Sequence, residues 1–149
     1  MRIIVDTNIV FSAILNSSSR IGKILLCSKG NFQFYSCNYL KTEILRHRIK
    51  LLKLTKLSQD ELTELEGLVT QNITFIDERL LPGKLLLKVE NLLKAIDPND
   101  TPFVALARHL EGKLWTGDMQ LYNGLKAKRF KNIITTAELN TLLDDFERQ

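Results

Sequence analysis

Short apolar runs alternate with helix-like segments along the whole chain, and this alternation restricts the possible folds more than any other feature. The runs are rich in β-branched and aromatic residues, which is typical of buried strands. They occupy residues 3–5, 32–36, 73–76, 114–116 and 133–135. Strands that alternate with helices favour a parallel sheet covered by helices on both faces. We therefore predict an α/β fold of three layers, with a central parallel sheet of four to five strands, in one domain over residues 1–149.

Helix signals fill the intervals between these runs. The predicted helices are 8–15, 21–28, 38–54, 58–71, 84–96, 101–110, 119–126 and 137–146. Ser58 and Glu61 have the spacing of a capping box, which marks a helix start. Lys29-Gly30-Asn31 and Gly112 are predicted helix ends, because glycine readily follows the last turn of a helix.

Acidic residues lie where several apolar runs end, or shortly beyond them. Asp6 ends the first run, Glu43 follows the second, Asp97 and Asp100 precede the helix at 101–110, and Asp118 follows the fourth run. In a parallel sheet the carboxyl ends of the strands share one edge, where ligands bind. Clustered carboxylates repel one another unless a cation or protons offset their charge. The pattern therefore predicts a site for Mg²⁺ or Mn²⁺, which prefer oxygen ligands.

Each acid also has a purely structural explanation. Asp6, Asp100 and Asp118 each precede a helix signal, and aspartate is a favoured N-cap. Glu43 could be an ordinary exposed helix residue, and Asp97 could stabilise the turn at Pro98. Capping does not require aspartate rather than Ser, Thr or Asn, so its recurrence at successive strand ends favours a shared site.

The positive charge is concentrated in two segments of the chain. The formal net charge is +4 and the isoelectric point is near 9.1, which is compatible with a nucleic-acid partner. One cluster lies between residues 41 and 56 and a second between 126 and 131. Solvated helix faces explain either cluster about as well as RNA contacts do.

Several classes of protein are disfavoured by what the sequence lacks. It has neither G-x-x-x-x-G-K-[ST] nor G-x-G-x-x-G, the phosphate-binding loops of common nucleotide-binding folds. It has no run of about 18 apolar residues, so we expect no membrane span. Cys27 and Cys37 are the only cysteines, and the N-terminus does not resemble a signal peptide. We therefore expect reduced thiols and a cytoplasmic protein.

The motifs resemble those of the PIN domain family, and in particular VapC-like toxins of the prokaryotic toxin-like PIN subgroup. The resemblance rests on Asp6-Thr7-Asn8-Ile9, on Glu43, on the stretch 97–107 beginning Asp97-Pro98-Asn99-Asp100, and on Thr116-Gly117-Asp118. It extends over nearly the whole chain.

The resemblance implies a metal-dependent endoribonuclease that hydrolyses RNA phosphodiesters. It implies that Asp6, Glu43, Asp100 and Asp118 form the catalytic and metal-binding set, with Asn8 and Thr116 as supporting polar residues. Asp97 is an additional acid, with a possible role in metal binding. The cofactor is expected to be Mg²⁺ or Mn²⁺. A toxin of this kind is expected to pair with a small antitoxin protein and to form a homodimer.

From the clustering of charge alone, we predict RNA contacts at Arg46, Arg48, Lys50, Lys126 and Arg129. Arginine suits phosphate recognition because its guanidinium donates two parallel hydrogen bonds. The main alternative is a catalytically weak PIN-like domain that binds RNA or a protein without cleaving. A haloacid-dehalogenase-like phosphatase is disfavoured, since it would need a second aspartate where Asn8 stands.

Overall fold

A parallel sheet lies at the centre of the computed structural model, which describes residues 1–28 and 30–149. In that part of the chain the sheet has five strands, in the order β3-β2-β1-β4-β5. The strands are β1 (Arg2–Val5), β2 (Gln33–Cys37), β3 (Ile73–Ile76), β4 (Lys113–Trp115) and β5 (Ile133–Ile134). Every pair of neighbours is parallel, which confirms the predicted α/β class.

The helices cover both faces of this sheet. They are α1 (Thr7–Leu15), α2 (Arg20–Cys27), α3 (Tyr39–Arg46), α4 (Arg48–Thr55), α5 (Gln59–Thr70), α6 (Gly83–Leu92), α7 (Thr101–His109), α8 (Met119–Ala127) and α9 (Thr136–Glu147). Helix α1 packs on α2, α3, α4 and α5, and α9 packs on α2. Helix α7 packs on α6 and on the central strands. Right-handed crossovers put α1 to α5 on one face and α6 to α8 on the other, because the chain moves across the sheet in opposite directions.

The register of the two central strands fixes where the acids emerge. Val5 of β1 pairs with Trp115 of β4, so the next residues, Asp6 and Thr116, leave the sheet side by side. Both pairing residues are fully buried. The Trp115 indole N–H donates a hydrogen bond of 3.0 Å to Oγ1 of Thr136, which satisfies its only polar atom in the core.

One predicted helix is wrong in its extent. The segment predicted as a single helix over 38–54 is two helices, α3 and α4, separated at His47. His47 Nδ1 lies 2.9 Å from the Glu43 carbonyl oxygen, and its ring packs on Phe11 at 5.4 Å. This local bond and the contact with α1 end α3 at Arg46, which short-range helix propensity does not reveal.

Smaller differences occur at other element ends. Thr135 is not a strand residue but caps α9, where it forms a capping box with Glu138. The capping box predicted at Ser58 and Glu61 is confirmed. Helix α6 ends at Leu92, four residues before the predicted end. Helix α2 ends at Cys27, and Lys29 of the predicted stop lies outside the described residues.

Gly112 follows α7 for a steric reason. A Cβ at this position would lie 2.6 Å from Cδ1 of Ile4 and 2.8 Å from the Arg2 carbonyl oxygen. Glu111, not the glycine, adopts the left-handed conformation there, with φ of 53°. The predicted break is therefore real, but Gly112 is needed for close approach to β1.

Among the described residues, no single helix has both the length and the apolar character to cross a membrane. Helices α1 (Thr7–Leu15) and α2 (Arg20–Cys27) are long and apolar enough only when they are counted together, and the chain bends by 106° between them.

Candidate active site

Asp6 is placed by the junction of β1 and α1. It is the N-cap of α1, and its Oδ1 accepts a hydrogen bond of 3.0 Å from the Ile9 amide. Asp6 is only 4% exposed. The structural explanation for Asp6 is therefore correct, yet capping by one oxygen leaves a buried carboxylate at the sheet edge beside the other acids.

Glu43 reaches the same edge from α3. The Thr7 hydroxyl donates a hydrogen bond of 2.5 Å to its Oε1. Thr7 is itself buried and follows Asp6 directly, so a single turn of chain positions two of the predicted acids. Asn8 was predicted as a supporting residue, but its side chain is exposed and has no hydrogen-bond partner among the described residues.

Asp118 is placed by the loop that follows β4. It caps α8, since its Oδ1 accepts from the amides of Gln120 and Leu121 at 3.0 and 3.2 Å. Its own amide donates to Oγ1 of Thr116 at 3.0 Å. Thr116 is fully buried, and hydrogen bonding of its hydroxyl to Asp6 lowers the pKa of that carboxyl. Thr116 thus contacts two of the acids.

Asp97 and Asp100 belong to the short 3₁₀ turn Pro98–Asp100 that leads into α7. Asp97 accepts a hydrogen bond of 3.0 Å from the Asn99 amide, so it shapes the turn as the structural explanation held. Asp100 occupies the N-cap position of α7 but makes no capping hydrogen bond with its side chain. Its carboxylate is therefore available to a ligand.

The electrostatics show that the acids influence one another. Burial, and after it repulsion from Asp97, Asp6, Asp118 and Glu43, raises the pKa of Asp100 to about 7. Burial is also the main cause that raises the pKa of Asp6 to about 6, with smaller contributions from the nearby Asp118 and Glu43. We refer to these five residues as the acidic edge. A cation would relieve the repulsion that they experience.

The donors of the acidic edge fit Mg²⁺ or Mn²⁺ in their chemistry, because they are all carboxylate oxygens. In residues 1–28 and 30–149, however, no three His, Cys, Asp or Glu side chains form a group ready to enclose a metal. Mg²⁺ commonly binds through one or two carboxylates and keeps several waters. Asp6 and Asp118 are the best placed to hold such an ion, because both emerge beside Thr116.

The predicted RNA contacts lie in different surroundings. Arg46, Lys50, Lys126 and Arg129 are exposed. Arg48 instead joins α4 to α5: it forms a salt bridge of 3.1 Å with Glu66 and donates to Oγ1 of Thr63 at 2.7 Å. This geometry favours a structural role for Arg48. The other four contacts stay predictions.

Arg129 lies at the far end of α8 from the acidic edge. Asp118 precedes this helix and Arg129 follows it, which separates their backbones by about 15 Å at 1.5 Å per residue. The two residues therefore do not share one pocket, although both were predicted to serve the same RNA.

Sequence reasoning gave too little weight to Thr7. The signal was its position between Asp6 and Asn8, because a β-branched hydroxyl residue in the first turn of a helix can turn its oxygen toward a neighbouring acid. The partner of that oxygen, Glu43, is 36 residues away in sequence, and only the packing of α3 on α1 brings them together.

The sequence profile of the PIN domain family matches residues 4–141. The chain belongs to the PIN domain family. The family predicted from the motifs is thereby confirmed. No curated protein matches the chain significantly.

Among solved structures, the PIN chain is similar to one in the crystal structure of VapBC2 from Rickettsia felis bound to a DNA fragment from their promoter. The TM-score is 0.66 at 17% sequence identity, over 91% of this chain and 97% of that one. At this identity the likeness establishes the fold, and it confirms the predicted three-layer PIN-like architecture.

Proposed function

We propose that this PIN domain is a metal-dependent endoribonuclease whose site is the acidic edge. The observation that supports the proposal best is the mutual influence of its carboxylates. Burial, and after it repulsion from Asp97, Asp6, Asp118 and Glu43, raises the pKa of Asp100 to about 7. A cluster that resists ionisation by itself is well suited to bind a divalent cation at neutral pH.

The side chains of the acidic edge divide the work of hydrolysis. A bound Mg²⁺ or Mn²⁺ would polarise the phosphate and lower the pKa of a water molecule in the site. Asp6 and Asp118 would hold the ion, with their positions fixed by the Ile9, Gln120 and Leu121 amides. Glu43, oriented by Thr7, and Asp100 would position the attacking water or accept its proton.

The toxin role is the finer part of the proposal. The motifs of this chain resemble those of VapC-like toxins, which pair with antitoxins, and the chain shares the PIN fold of the VapBC2 structure that is bound to a DNA fragment from its promoter. We propose that this chain is likewise the toxin of such a pair, acting on RNA in the cytoplasm, held by a small antitoxin and able to form a homodimer. Exposed Leu45 and Ile49, at 70% and 73% exposure, offer apolar side chains for one of these contacts.

Cleavage of a mixture of structured RNAs tests the activity. The purified chain is incubated with Mn²⁺, Mg²⁺ or EDTA beside Asp6→Asn and Asp118→Asn, since asparagine preserves both helix caps and removes the charge. Asp144→Asn, an exposed position on α9, is the matched control. Cleavage that requires a metal, persists in the control and is lost in both variants supports the proposal. Cleavage that survives in both variants contradicts it.

The second candidate is a PIN-like module that binds RNA or protein without cutting. The observation behind this candidate is that no three acids in the described part of the chain form a preformed metal enclosure. RNA that binds but stays intact with every metal, and equally in wild type and variants, would support this alternative.

A further inference from the structure

A basic cleft lies at the end of the molecule opposite the acidic edge. Its walls come from the second half of α6, from the last turn of α7 and from the residues just after α8. The lining includes Lys88, Asn91, Arg108, Lys128, Arg129 and Phe130, around a volume of about 490 Å³. No carboxylate is among the lining residues in the described part of the chain.

The simplest explanation for these cations is that they neutralise helix ends. Lys128 Nζ does so, since it donates a hydrogen bond of 2.6 Å to the Leu92 carbonyl at the end of α6. Each helix C-terminus carries about half a negative charge, so three ends supply roughly −1.5. Four basic side chains exceed this by about 2.5 charges. Neutralising helix ends therefore explains only part of the cluster.

The backbone conformation of Arg129 is an independent indication that an arginine side chain has a role at this position. It follows α8 with φ of 64°, in the left-handed region where glycine is favoured. The Phe130 amide donates a hydrogen bond of 2.9 Å to the Leu125 carbonyl, which closes the end of the helix around Arg129. An arginine here accepts backbone strain that glycine would avoid, and it places a guanidinium at the rim of the cleft.

We infer that the basic cleft binds backbone phosphates of single-stranded RNA, as a second contact separate from the acidic edge. Lysine and arginine without a neighbouring carboxylate are the usual phosphate ligands. Helices α7 and α8 both run from the acidic edge to the cleft, over about 12 to 15 Å. A stacked strand covers this distance with roughly four phosphates, at about 3.4 Å each. One RNA strand can therefore occupy both places.

This inference concerns binding and stands apart from cleavage, although the two share the proposed RNA substrate. The predicted contacts Arg46 and Lys50 lie on α3 and α4, on the other face of the sheet, so they do not belong to the cleft. An acidic protein segment is the competing ligand. The alignment of the cleft with the acidic edge along α7 and α8 favours a nucleic-acid strand.

The test measures RNA binding in EDTA, where metal-dependent cleavage cannot interfere. A labelled single-stranded RNA of about 12 nucleotides is titrated by fluorescence anisotropy at several salt concentrations. The double variant Lys88→Gln with Arg129→Gly removes two cations from the cleft. Arg20→Gln with Lys23→Gln removes two exposed cations from α2 on the opposite face, and is the matched control.

We expect the cleft variant to bind about tenfold more weakly and to reduce the slope of log affinity against log salt by about 1.4, or 0.7 per lost phosphate contact. The control should lose less than about threefold, because only its long-range field changes. The single variant Arg129→Gly should raise the Tm while weakening RNA binding. A variant that merely failed to fold would lose both.

Equal losses in the cleft and control variants would overturn the inference, as would wild-type protein that binds no RNA. Tighter binding of an acidic peptide than of RNA would assign the cleft to a protein partner and equally overturn it. Cleavage with Mn²⁺ is measured separately. If the cleft variant loses RNA binding but the wild type never cleaves RNA, the proposed activity is refuted and the cleft is not. If the wild type cleaves RNA but the cleft variant binds RNA as tightly as the wild type, the cleft is refuted and the activity is not.

Discussion

The acidic edge and the basic cleft lie at opposite ends of α7 and α8 and have opposite energetics. The acids are buried or half-buried, and this burial, together with their mutual repulsion, raises the pKa of Asp6 to about 6 and that of Asp100 to about 7. The cations of the cleft are exposed and stand at helix C-termini, where positive charge is favourable. One end of these helices is therefore destabilised by its own charges, and the other is not.

This difference separates a site that needs a ligand from a surface that tolerates one. Carboxylates that repel one another in a buried place gain stability from a cation, by linkage of binding to folding. Exposed lysine and arginine gain little, since solvent and salt already screen them. A change of charge at the acidic edge should therefore affect stability and activity more than an equal change of charge at the cleft.

The largest expected effect distinguishes two acids within the same turn. Asp100→Asn should reduce kcat/KM for RNA at least about 100-fold, because it removes a charge that no capping hydrogen bond engages. Asp97→Asn should reduce it less than about tenfold, because asparagine can still accept from the Asn99 amide. Equal losses would place Asp97 in the metal site beside the other four.

The next effect concerns stability and pH in the absence of metal. Asp6 has a folded pKa above its ordinary 3.8, so the native state binds more protons between pH 4 and about 6 and loses stability as the pH rises. At about 1.4 kcal/mol per pKa unit, the penalty is roughly 3 kcal/mol at pH 8. Asp6→Asn should thus be about 3 kcal/mol more stable there and equal to wild type near pH 3.

Urea unfolding in EDTA across this pH range provides the measurement. Asp60→Asn, at an exposed position in the first turn of α5, is the control, since it removes a carboxylate that is not part of the acidic edge. Saturating Mn²⁺ should remove most of the difference between wild type and Asp6→Asn. A stability difference between Asp6→Asn and wild type that does not grow from pH 4 to 8 would contradict the raised pKa.

A smaller effect is expected at Thr7. Thr7→Val keeps the shape of the side chain but removes the hydroxyl that donates to Glu43. The Mn²⁺ concentration for half-maximal cleavage should rise about tenfold, as is usual when a residue that orients a metal ligand is lost. Thr7→Ser should restore the wild-type value. If serine fails where valine fails, packing rather than the hydroxyl is responsible.

The smallest effect separates a structural cation from an RNA contact. Arg48→Met should cost about 1 to 2 kcal/mol in the free energy of unfolding, because it leaves Glu66 half-buried without its partner. Adding Glu66→Leu should recover much of that loss, since burial already raises the pKa of Glu66. Cleavage should be unchanged by Arg48→Met, whereas loss of cleavage with normal stability would return Arg48 to the RNA-binding set.

The sheet and most helices could be predicted from sequence, because each strand is a short apolar run bounded by polar residues. Local chemistry also located the ends of several helices, as at Ser58 and Glu61. The division of α3 from α4 could not be predicted, since it depends on the contact of His47 with Phe11 on another helix. Periodicity describes one helix at a time and contains no information about such contacts.

The candidate site follows the same rule. The acids could be chosen because strand ends share an edge in a parallel sheet, whatever the details of packing. The partner of Thr7 and the separation of Arg129 from Asp118 depend on distances between elements. Arg48 was predicted as an RNA contact from charge clustering, which cannot distinguish a free cation from one already paired with Glu66.

Calorimetric titration of Mn²⁺ into the chain at pH 7 tests the central claim, that the acidic edge is a cation site. We predict saturable binding that releases protons, because the pKa of Asp100 is about 7 and falls when a cation arrives. Repeating the titration in buffers of different ionisation enthalpy measures this release. Asp118→Asn should abolish binding, and Asp144→Asn should preserve it. Absence of binding to wild type, or binding that Asp118→Asn leaves intact, would contradict the account.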